Sequence, residues 1–509
     1  MAETSAPTTA GPGTTTDGTT TTDAATTVDP SVTEAPEPRA TSNRSTTPGS
    51  DTFRDYIASS WAEREDTLPP AREQASFAAR RRARVSEAHP GKRLIVPSGA
   101  PKQRSNDTDY PYRAHSAFSY LTGWGSDSEP GAFLVFEPAG ETGHEVTLYF
   151  RERAGRDSDE FYANPEIGEF WIGARPSLAQ VSSDLGIPAR GISDFDAVVF
   201  DDDTLVVREA APELPAGAHE PADADFERFL SEQRLVKDAY ELEQMRLAVA
   251  ATARGFDDVI ADFRRSSAAP RGERLVEGVF NTRARLDGNT VGYDTIAASG
   301  PHACILHWTR NDGPVLPGDL ILIDAGVELD SYYTADITRT IPVDGRFTDV
   351  QRRVYEAVRE AADAAFAIVK PGIRFREIHQ TAMAVIARRT AEWGLLPVSA
   401  EEAMEPENQQ HRRYMVHGTS HHLGIDVHDC AKARRELYLD GVLEEGMVFT
   451  IEPGLYFQPD DLTVPAEMRG IGVRIEDDIV VTADGAENLS AGIPRTADEV
   501  EEWYARLNA

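Results

Sequence analysis

Cysteine is scarce in this sequence, which has two cysteines among 509 residues. So few cysteines exclude a disulfide-built scaffold and are typical of a protein in a reducing compartment. The sequence also lacks a run of about 18 apolar residues, so it predicts no membrane-spanning helix. Its first residues do not combine a basic start with an apolar stretch, so we expect no secretory signal. These absences predict a soluble, cytoplasmic protein.

Positive charge is also in short supply. Lys and Arg total 51 against 85 Asp and Glu, which gives a formal net charge of −34. A polyanion of this kind is repelled by phosphate backbones and anionic lipids, so we expect neither a nucleic-acid partner nor a membrane partner. The negative charge instead favours solubility, or adaptation to a salty interior.

Composition divides the chain into a tail and two predicted domains. Residues 1–55 are rich in Thr, Ala and Pro and predict a disordered tail, with order beginning between Asp51 and Trp61. Residues 56–230 alternate short β-type runs with helical stretches, which predicts a small α/β domain. Within it, we interpret residues 212–224 as a surface loop. The predicted strands are RLIVPSG (93–99), GAFLVFEP (131–138), EVTLYF (145–150) and DAVVFDD (196–202).

Residues 231–509 predict a second, larger domain of the α/β (α+β) class. An amphipathic pattern with three- and four-residue steps predicts a long helix over 236–263. Further predicted helices cover 349–369 and 375–393. Predicted strands, two of them almost continuously apolar, cover 319–326, 447–452 and 471–481.

Histidine is concentrated in this second domain. Eight of the twelve histidines lie between His302 and His428, close to acidic residues at the ends of apolar runs. Taken singly, each acid has an ordinary explanation as a turn former, a cap or an ion-pair partner. Taken together they indicate a shared cation, because a carboxylate that ends a buried strand is costly unless positive charge compensates it. The acids are Asp324, Asp336, Glu452 and Glu476.

Five separated motifs then carry a family resemblance. They are ILHWTRN (305–311), GDLILIDAGVELDSYYTADITRTIPV (318–343), HGTSHHLGIDVHD (417–429), EEGMVFTIEPGLYF (444–457) and RGIGVRIEDDIVV (469–481). They resemble Xaa-Pro aminopeptidase, also called aminopeptidase P, of the "pita-bread" dinuclear metallopeptidases. DYPYRAHSAFSYLTGW (109–124) and EFWIGAR (169–175) resemble the same family's N-terminal domain. The resemblance implies a C-terminal pita-bread catalytic domain preceded by a smaller α/β domain of the creatinase/prolidase type.

The resemblance also implies five ligands for two divalent metal ions. Asp336 and Glu476 would bridge both ions, Asp324 would complete one site, and His421 and Glu452 would complete the other. Four carboxylates and one imidazole favour Mn²⁺, with Zn²⁺, Co²⁺ and Fe²⁺ as alternatives. Two such ions can activate water at neutral pH. Asp324 and Asp336 are twelve positions apart, one more than is commonest in the family, so we expect an extra turn residue near 329–333.

Further roles follow from the same resemblance. His428 would hydrogen-bond the tetrahedral intermediate, and His307 and His417 would position the proline and the residues beyond it. An alternative for His417 and His428 is to orient the metal ligands. Glu452 would double as a ligand and a proton shuttle. Substrate binding would also draw on Tyr456, Arg474 and Trp171.

For several other residues in or near these motifs, the predicted role is different or has two alternatives. Trp171 either reaches a neighbouring subunit's substrate cleft, as in oligomers of the family, or packs in the core. His422 is not a predicted ligand, because neighbours in an extended segment point to opposite sides. Cys304 and Cys430 are predicted to be small buried residues.

The predicted function is an Xaa-Pro aminopeptidase, in which activated hydroxide hydrolyses the bond between any N-terminal residue and a following proline. Its predicted partners are peptides with proline at the second position and further copies of the chain, as a dimer or tetramer. Prolidase, which cleaves Xaa-Pro dipeptides with the same site, is the nearest alternative. A non-catalytic peptide-binding pita-bread protein is a more distant one.

Overall fold

The computed structural model describes residues 47–106, 108–140, 143–215 and 220–509. Most of the predicted tail, residues 1–46, lies outside the described residues. The chain divides into two units at the boundary between Ile57 and Ala58. Among the described residues, the first helix is α1 (Asp51–Ala58).

The N-terminal region of the second unit, residues 58–233, is built on a five-stranded mixed sheet. Its described strands are β1 (Arg93–Pro97), β2 (Gln103–Ser105), β3 (Thr108–Asp109), β4 (Phe133–Pro138), β5 (His144–Phe150), β6 (Ala189–Gly191) and β7 (Thr204–Val206). The strand order in the five-stranded sheet is β6-β5-β4-β1-β7. The region's described helices are α2 (Ala75–Ala88), α3 (Ser116–Thr122), α4 (Asp159–Tyr162), α5 (Glu169–Ile172), α6 (Leu178–Leu185) and α7 (Glu220–Gln233). The first three predicted strands correspond to β1, β4 and β5.

The fourth predicted strand of this region, 196–202, is wrong. A 3₁₀ helix occupies Ile192–Ala197, and the next strand begins only at Thr204. The carboxylate of Asp201 accepts hydrogen bonds from the Asp203 N–H at 3.1 Å and the Thr204 hydroxyl at 2.8 Å. When an aspartate side chain accepts a hydrogen bond from the backbone N–H two residues later, the chain favours a turn over an extended strand.

The predicted surface loop over 212–224 is also wrong in its second half, where α7 begins at Glu220. Pro221 does not prevent this, because proline is tolerated in the first turn of a helix. Phe226 and Leu230, one turn apart on α7, are buried and give the helix its apolar face.

The described strands of the C-terminal region, residues 234–509, are β8 (Thr290–Val291), β9 (Ile296–Ser299), β10 (Leu320–Ala325), β11 (Val327–Glu328), β12 (Ile337–Pro342), β13 (Val448–Ile451), β14 (Gly454–Tyr456), β15 (Gly472–Arg474), β16 (Asp477–Val481) and β17 (Ala486–Asn488). They form two three-stranded sheets, β12-β10-β9 and β13-β16-β17, and two two-stranded sheets, β11-β8 and β14-β15. The region's described helices are α8 (Ala239–Ala261), α9 (Phe263–Ser267), α10 (Gly272–Asp287), α11 (Asp349–Ala367), α12 (Phe375–Glu392), α13 (Ala400–Ala403) and α14 (Ala497–Leu507).

The three long predicted helices are present as α8, α11 and α12. A capping box starts α8: the Asp238 carboxylate accepts from the Glu241 N–H at 3.1 Å, and the Glu241 carboxylate accepts from the Asp238 N–H at 2.9 Å. Two orphan N–H groups of the first turn are thereby satisfied. None of the helices in the described part of the chain is both long and apolar enough to cross a bilayer.

The predicted strand over 471–481 is two strands, β15 and β16, separated by Ile475 and Glu476. The Glu476 N–H donates to the Thr338 carbonyl oxygen at 3.1 Å, across to β12. This break in the strand brings Glu476 beside the sheet that contains β10 and β12.

Candidate metal centre

The five predicted metal ligands line one cavity of about 490 Å³ in the C-terminal region. Four other predicted site residues line the same cavity, although they lie far apart in the sequence. The ligands are Asp324, Asp336, His421, Glu452 and Glu476, and the others are His307, His417, His428 and Arg474.

The antiparallel pair β10 and β12 positions two of the carboxylates. Asp324 pairs with Thr338 in the register of these strands, and Asp336 directly precedes β12. Gly326 follows β10 where the two chain segments cross, and a Cβ there would lie 1.7 Å from the Ala335 carbonyl oxygen. Only glycine permits this approach, which brings both carboxylates to the same end of the sheet.

The remaining ligands come from the other sheet and from the loop before it. Glu452 directly follows β13, and Glu476 directly precedes β16, which pairs antiparallel with β13. The loop residue His421 is fixed to β13 because its carbonyl oxygen accepts the Thr450 N–H at 2.9 Å and its N–H donates to the Thr450 hydroxyl at 3.2 Å.

Three ligands are already close enough to hold one ion. One donor atom from each of Asp336, His421 and Glu476 lies within 4.8 Å of the other two. His421 Nε2 lies 3.2 Å from Asp336 Oδ2 and 3.7 Å from Glu452 Oε1. The imidazole therefore faces two carboxylates at once.

Burial and mutual repulsion dominate the electrostatics of the cavity. Burial and neighbouring carboxylates raise the pKa of Asp336 and of Glu476, and burial raises the pKa of Glu452 to about 7. Burial opposes charge on His421, but the contact with Asp336 raises the pKa of this imidazole to about 9. Arg474 contacts Asp324, which neutralises one carboxylate. The excess of buried carboxylate oxygens fits hard or borderline divalent cations.

Tyr293 belongs to this centre and was not predicted. Its hydroxyl lies 2.7 Å from Asp324 Oδ1 and 2.5 Å from Asp336 Oδ1, so it contacts two predicted ligands. The residue sits in the segment before β9, outside the sequence motifs that indicated the ligands. A single tyrosine before a strand gives no chemical signal in a sequence.

A chain of hydrogen bonds orients His417. The Arg474 guanidinium donates to the Tyr456 hydroxyl oxygen at 3.2 Å, and that hydroxyl lies 2.7 Å from His417 Nε2. His417 Nδ1 lies 2.5 Å from the Gly418 carbonyl oxygen and 3.6 Å from Glu452 Oε2. Burial and the Arg474 charge lower the pKa of His417 to about 3, so its imidazole is neutral. In that network Nδ1 donates to Gly418 and Nε2 accepts from Tyr456.

Trp171 is the predicted site residue that the structure places away from this cavity. It lies on α5 and is 57% exposed, and its Nε1 donates to the Tyr162 carbonyl oxygen at 2.7 Å. The core-packing alternative is therefore wrong. Phe170 and Ile172 beside it are exposed as well.

His422 points away from its neighbour His421, as predicted. Its ring stacks on Phe375 with centroids 4.5 Å apart, and burial lowers its pKa to about 3. Neither ring nitrogen has a hydrogen-bond partner among the described residues. Cys304 and Cys430 are buried free thiols in the described structure, which confirms their predicted packing role.

Four carboxylates at or near strand ends and one imidazole from a loop thus form the chemical core of the C-terminal region. Residues 243–483 match metallopeptidase family M24, and residues 77–202 match the aminopeptidase P N-terminal domain. The chain is 53% identical to Xaa-Pro aminopeptidase 2 of Streptomyces coelicolor, over 88% of this chain and 94% of that protein. It is 33% identical to the Xaa-Pro aminopeptidase of Escherichia coli, over 84% of this chain and 96% of that protein.

Among solved structures, Pseudomonas aeruginosa aminopeptidase PepP matches with a TM-score of 0.72 and 32% identity, over 87% of this chain and 99% of that one. The chain therefore belongs to metallopeptidase family M24, in its aminopeptidase P branch. The predicted family, the α/β fold with a pita-bread C-terminal domain and the metal-dependent hydrolase class are confirmed. Prolidase is not favoured, because the relatives that match most of this chain are named Xaa-Pro aminopeptidases.

Proposed function

We propose that this chain removes the N-terminal residue from peptides that have proline at the second position, using two divalent metal ions. The observation that carries the proposal is the convergence of Asp324, Asp336, His421, Glu452 and Glu476 on one cavity. Metal ions bound by these side chains would supply a nucleophile at neutral pH by lowering the pKa of water. All five ligand side chains are retained, which argues against a purely peptide-binding protein.

In this proposal Glu452 acts as the proton shuttle. Its carboxylate faces the cavity between His421 and His417, with oxygens 3.7 and 3.6 Å from the two imidazoles. It takes a proton from the attacking water and delivers it to the departing proline nitrogen. This delivery is needed because the proline nitrogen is a tertiary amide without an N–H.

The three cavity histidines outside the ligand set hold the substrate. His428 donates a hydrogen bond to the oxyanion that forms on the scissile carbonyl. His417, fixed by Tyr456, and His307, which is exposed at the cavity, position the proline and the residues that follow it. Arg474 fixes Tyr456 and Asp324 at the same time.

Replacing Asp336 with Ala tests the site. We expect bound metal to be lost, and hydrolysis of an Xaa-Pro-Pro tripeptide to be abolished, because Asp336 lies closest to His421 and contacts Tyr293. Metal analysis and release of the first residue are the measurements. Asp344→Ala, an exposed acid outside the cavity, is the matched control. Wild-type turnover by Asp336→Ala would refute the ligand assignment.

We propose Mn²⁺ as the native metal on the basis of the oxygen-rich donor set. The test removes metal with a chelator and returns Mn²⁺, Zn²⁺, Co²⁺ or Fe²⁺ separately, and Mn²⁺ should restore the highest turnover.

Hydrolysis of Xaa-Pro dipeptides, tripeptides and longer peptides side by side separates the aminopeptidase from prolidase. Activity restricted to dipeptides would favour prolidase.

We also propose a homo-oligomer, a dimer or tetramer, in which the exposed Trp171 reaches a neighbouring subunit's cleft. Light scattering of wild type and Trp171→Ala measures the assembly, and a monomeric wild type would contradict it.

The division into a tail (1–55), an N-terminal domain (56–230) and a catalytic domain (231–509) is a proposal too, as is the cytoplasmic location.

A further inference from the structure

His428 lies on a short segment whose two flanking carboxylates are both held by cations. Its own ring is exposed to the cavity and packs edge-on against His421, with centroids 4.4 Å apart. A single ring contact leaves the direction of an imidazole largely to its backbone. The contacts of Asp426 and Asp429, on either side of His428, hold the backbone from which this imidazole projects.

Asp429 is held from the segment that leads into α8. Arg234 Nε donates to Asp429 Oδ1 at 2.8 Å, and Lys237 Nζ donates to Asp429 Oδ2 at 2.8 Å. All three side chains are buried, and a buried carboxylate with two cationic donors has little freedom. This contact fixes the C-terminal side of the His428 segment.

Asp426 is held chiefly from the N-terminal region, and Arg234 Nη2 also lies 3.6 Å from Asp426 Oδ2. Arg113 Nη2 donates to the Ile425 carbonyl oxygen at 2.6 Å, and Arg113 Nη1 lies 3.3 Å from Asp426 Oδ1. The Ser116 hydroxyl donates to the same carboxylate oxygen at 2.5 Å. One arginine thus binds both the backbone and the side chain at the N-terminal side of the His428 segment.

The same guanidinium reaches the metal-ligand strands in another direction. Arg113 Nε donates to Glu328 Oε2 at 2.7 Å, and Glu328 lies in β11, between Asp324 and Asp336 along the chain. The guanidinium carbon lies 4.6 Å from the centre of the Tyr332 ring. Tyr332 has a φ of 70° and belongs to the turn where the sequence predicted an extra residue. Arg113 therefore connects the His428 segment to the chain that carries two ligands.

We propose that Arg113, outside the catalytic domain, is a positioning residue that fixes His428 relative to the metal centre. The inference rests on the proposed role of His428. A guanidinium offers five donors in a rigid plane, so it can satisfy the Ile425 oxygen, Asp426 and Glu328 together. A lysine in its place keeps the charge beside Glu328 but cannot span the three acceptors.

The test compares Arg113→Lys with wild type in the metal-loaded full chain. We expect kcat on an Xaa-Pro-Pro peptide to fall about 10- to 100-fold, because misplacing a catalytic group by about 1 Å has costs of this order. KM should change little, because the contact of His428 is made in the transition state. Arg93→Ala is the matched control: Arg93 pairs with Glu137 and Asp201 inside the N-terminal region, and its loss should leave kcat unchanged.

A double-mutant cycle separates positioning from a general structural role. If Arg113 acts through His428, Arg113→Lys should cost almost nothing further in a His428→Ala background. If the fold reductions in kcat of the two single variants multiply in the double variant, the proposal is overturned. Unchanged kcat in Arg113→Lys would overturn it as well. Wild-type kcat in His428→Ala alone would refute the role of His428 and this inference with it. Such a result would leave the Xaa-Pro activity of the wild type standing, so the two failures are distinguishable.

A chemical rescue gives an independent readout. Arg113→Ala opens a space beside Glu328 and Asp426, and added guanidinium ion should restore part of the lost kcat. The same concentration of guanidinium should not activate His428→Ala. If Arg113→Ala does not fold, Asp426→Asn tests the other end of the contact, and it should lower kcat with the same insensitivity of KM. Unchanged kcat in Asp426→Asn would contradict the inference.

Discussion

At the scale of single residues, Glu452 shows how a functional charge opposes stability. Burial raises its pKa to about 7 in the metal-free protein, against an ordinary value of about 4.3. The folded state then holds a proton that the unfolded state releases between these pH values. This carboxylate's contribution to stability is therefore lost as pH rises from about 4.3 to about 7.

Replacing Glu452 with Gln should accordingly stabilise the chelated protein at pH 8, by at most about 4 kcal/mol. The amide carries no charge to desolvate, whereas loss of the proposed proton shuttle should abolish turnover in the metal-loaded form. Thermal unfolding with a chelator present measures the first effect. Glu445→Gln, at an exposed position, is the control and should change neither quantity. A lower unfolding temperature for chelated Glu452→Gln would contradict this account.

For His422 we predict that the contribution to stability depends on pH in the opposite direction to that of Glu452. The folded-state pKa of His422, about 3, lies below the unfolded value of about 6.5, so its contribution to stability is lost as pH falls from about 6.5 to about 3. Phe has the shape to stack on Phe375 and brings no buried nitrogen. We expect His422→Phe to raise the free energy of unfolding by about 1–2 kcal/mol at pH 7 and to weaken its acid dependence.

His411 is the matched control for this change. It is equally buried, but its Nδ1 lies 2.8 Å from the Ala403 carbonyl oxygen. His411→Phe should therefore destabilise the protein, while His422→Phe stabilises it. Denaturant unfolding of both chelated variants from pH 4 to pH 8 measures the difference. Equal losses in the free energy of unfolding for the two variants would show that the hydrogen bond of His411 does not distinguish the two sites.

At the scale of elements, Glu273 of α10 holds the loop that carries His307. Its fully buried carboxylate accepts from the Ser299 N–H at 2.8 Å and from the Gly313 N–H at 2.6 Å, at the two ends of that loop. It also contacts His302 Nδ1 at 2.8 Å and Trp308 Nε1 at 2.9 Å. One side chain thus replaces the regular backbone pairing that this irregular segment lacks.

Replacing Glu273 with Ala should loosen this loop, because several buried donors lose their acceptor at a cost of about 1–3 kcal/mol each. We expect faster amide hydrogen exchange over residues 299–313 and a higher KM for tripeptides. Arg283→Ala, on the same helix but paired with Asp258 of α8, is the control and should leave exchange in the loop unchanged. Unchanged exchange in Glu273→Ala would refute the anchoring role.

The elements also show where sequence patterns are reliable. The long helices followed from their apolar periodicity, because one buried face repeats with the helical turn. The strand over 471–481 was predicted as continuous, because its apolar residues do not reveal that Glu476 must turn toward β12. The error at 196–202 has a similar cause, since the aspartates there form turn contacts that compete with strand pairing.

At the scale of the whole molecule, the net charge of −34 gives a prediction about salt. Self-repulsion of the acidic surface acts over distances that about 0.5 M salt screens well, whereas the buried ion pairs are screened much less. We expect the unfolding temperature to rise as KCl is added to about 0.5 M. A parallel series in NaCl separates screening from a specific effect of potassium. A steady decrease in both salts would show that attractive surface ion pairs dominate.

The sequence by itself determined the family and predicted the donor chemistry and five ligand side chains, because each predicted ligand lies in a local motif whose residue types carry the signal. Only the tertiary structure decided which residues support them. Tyr293 meets Asp324 and Asp336, and Arg113 meets Asp426 more than 300 positions away. Such contacts depend on the path of the chain through space, so no local pattern encodes them.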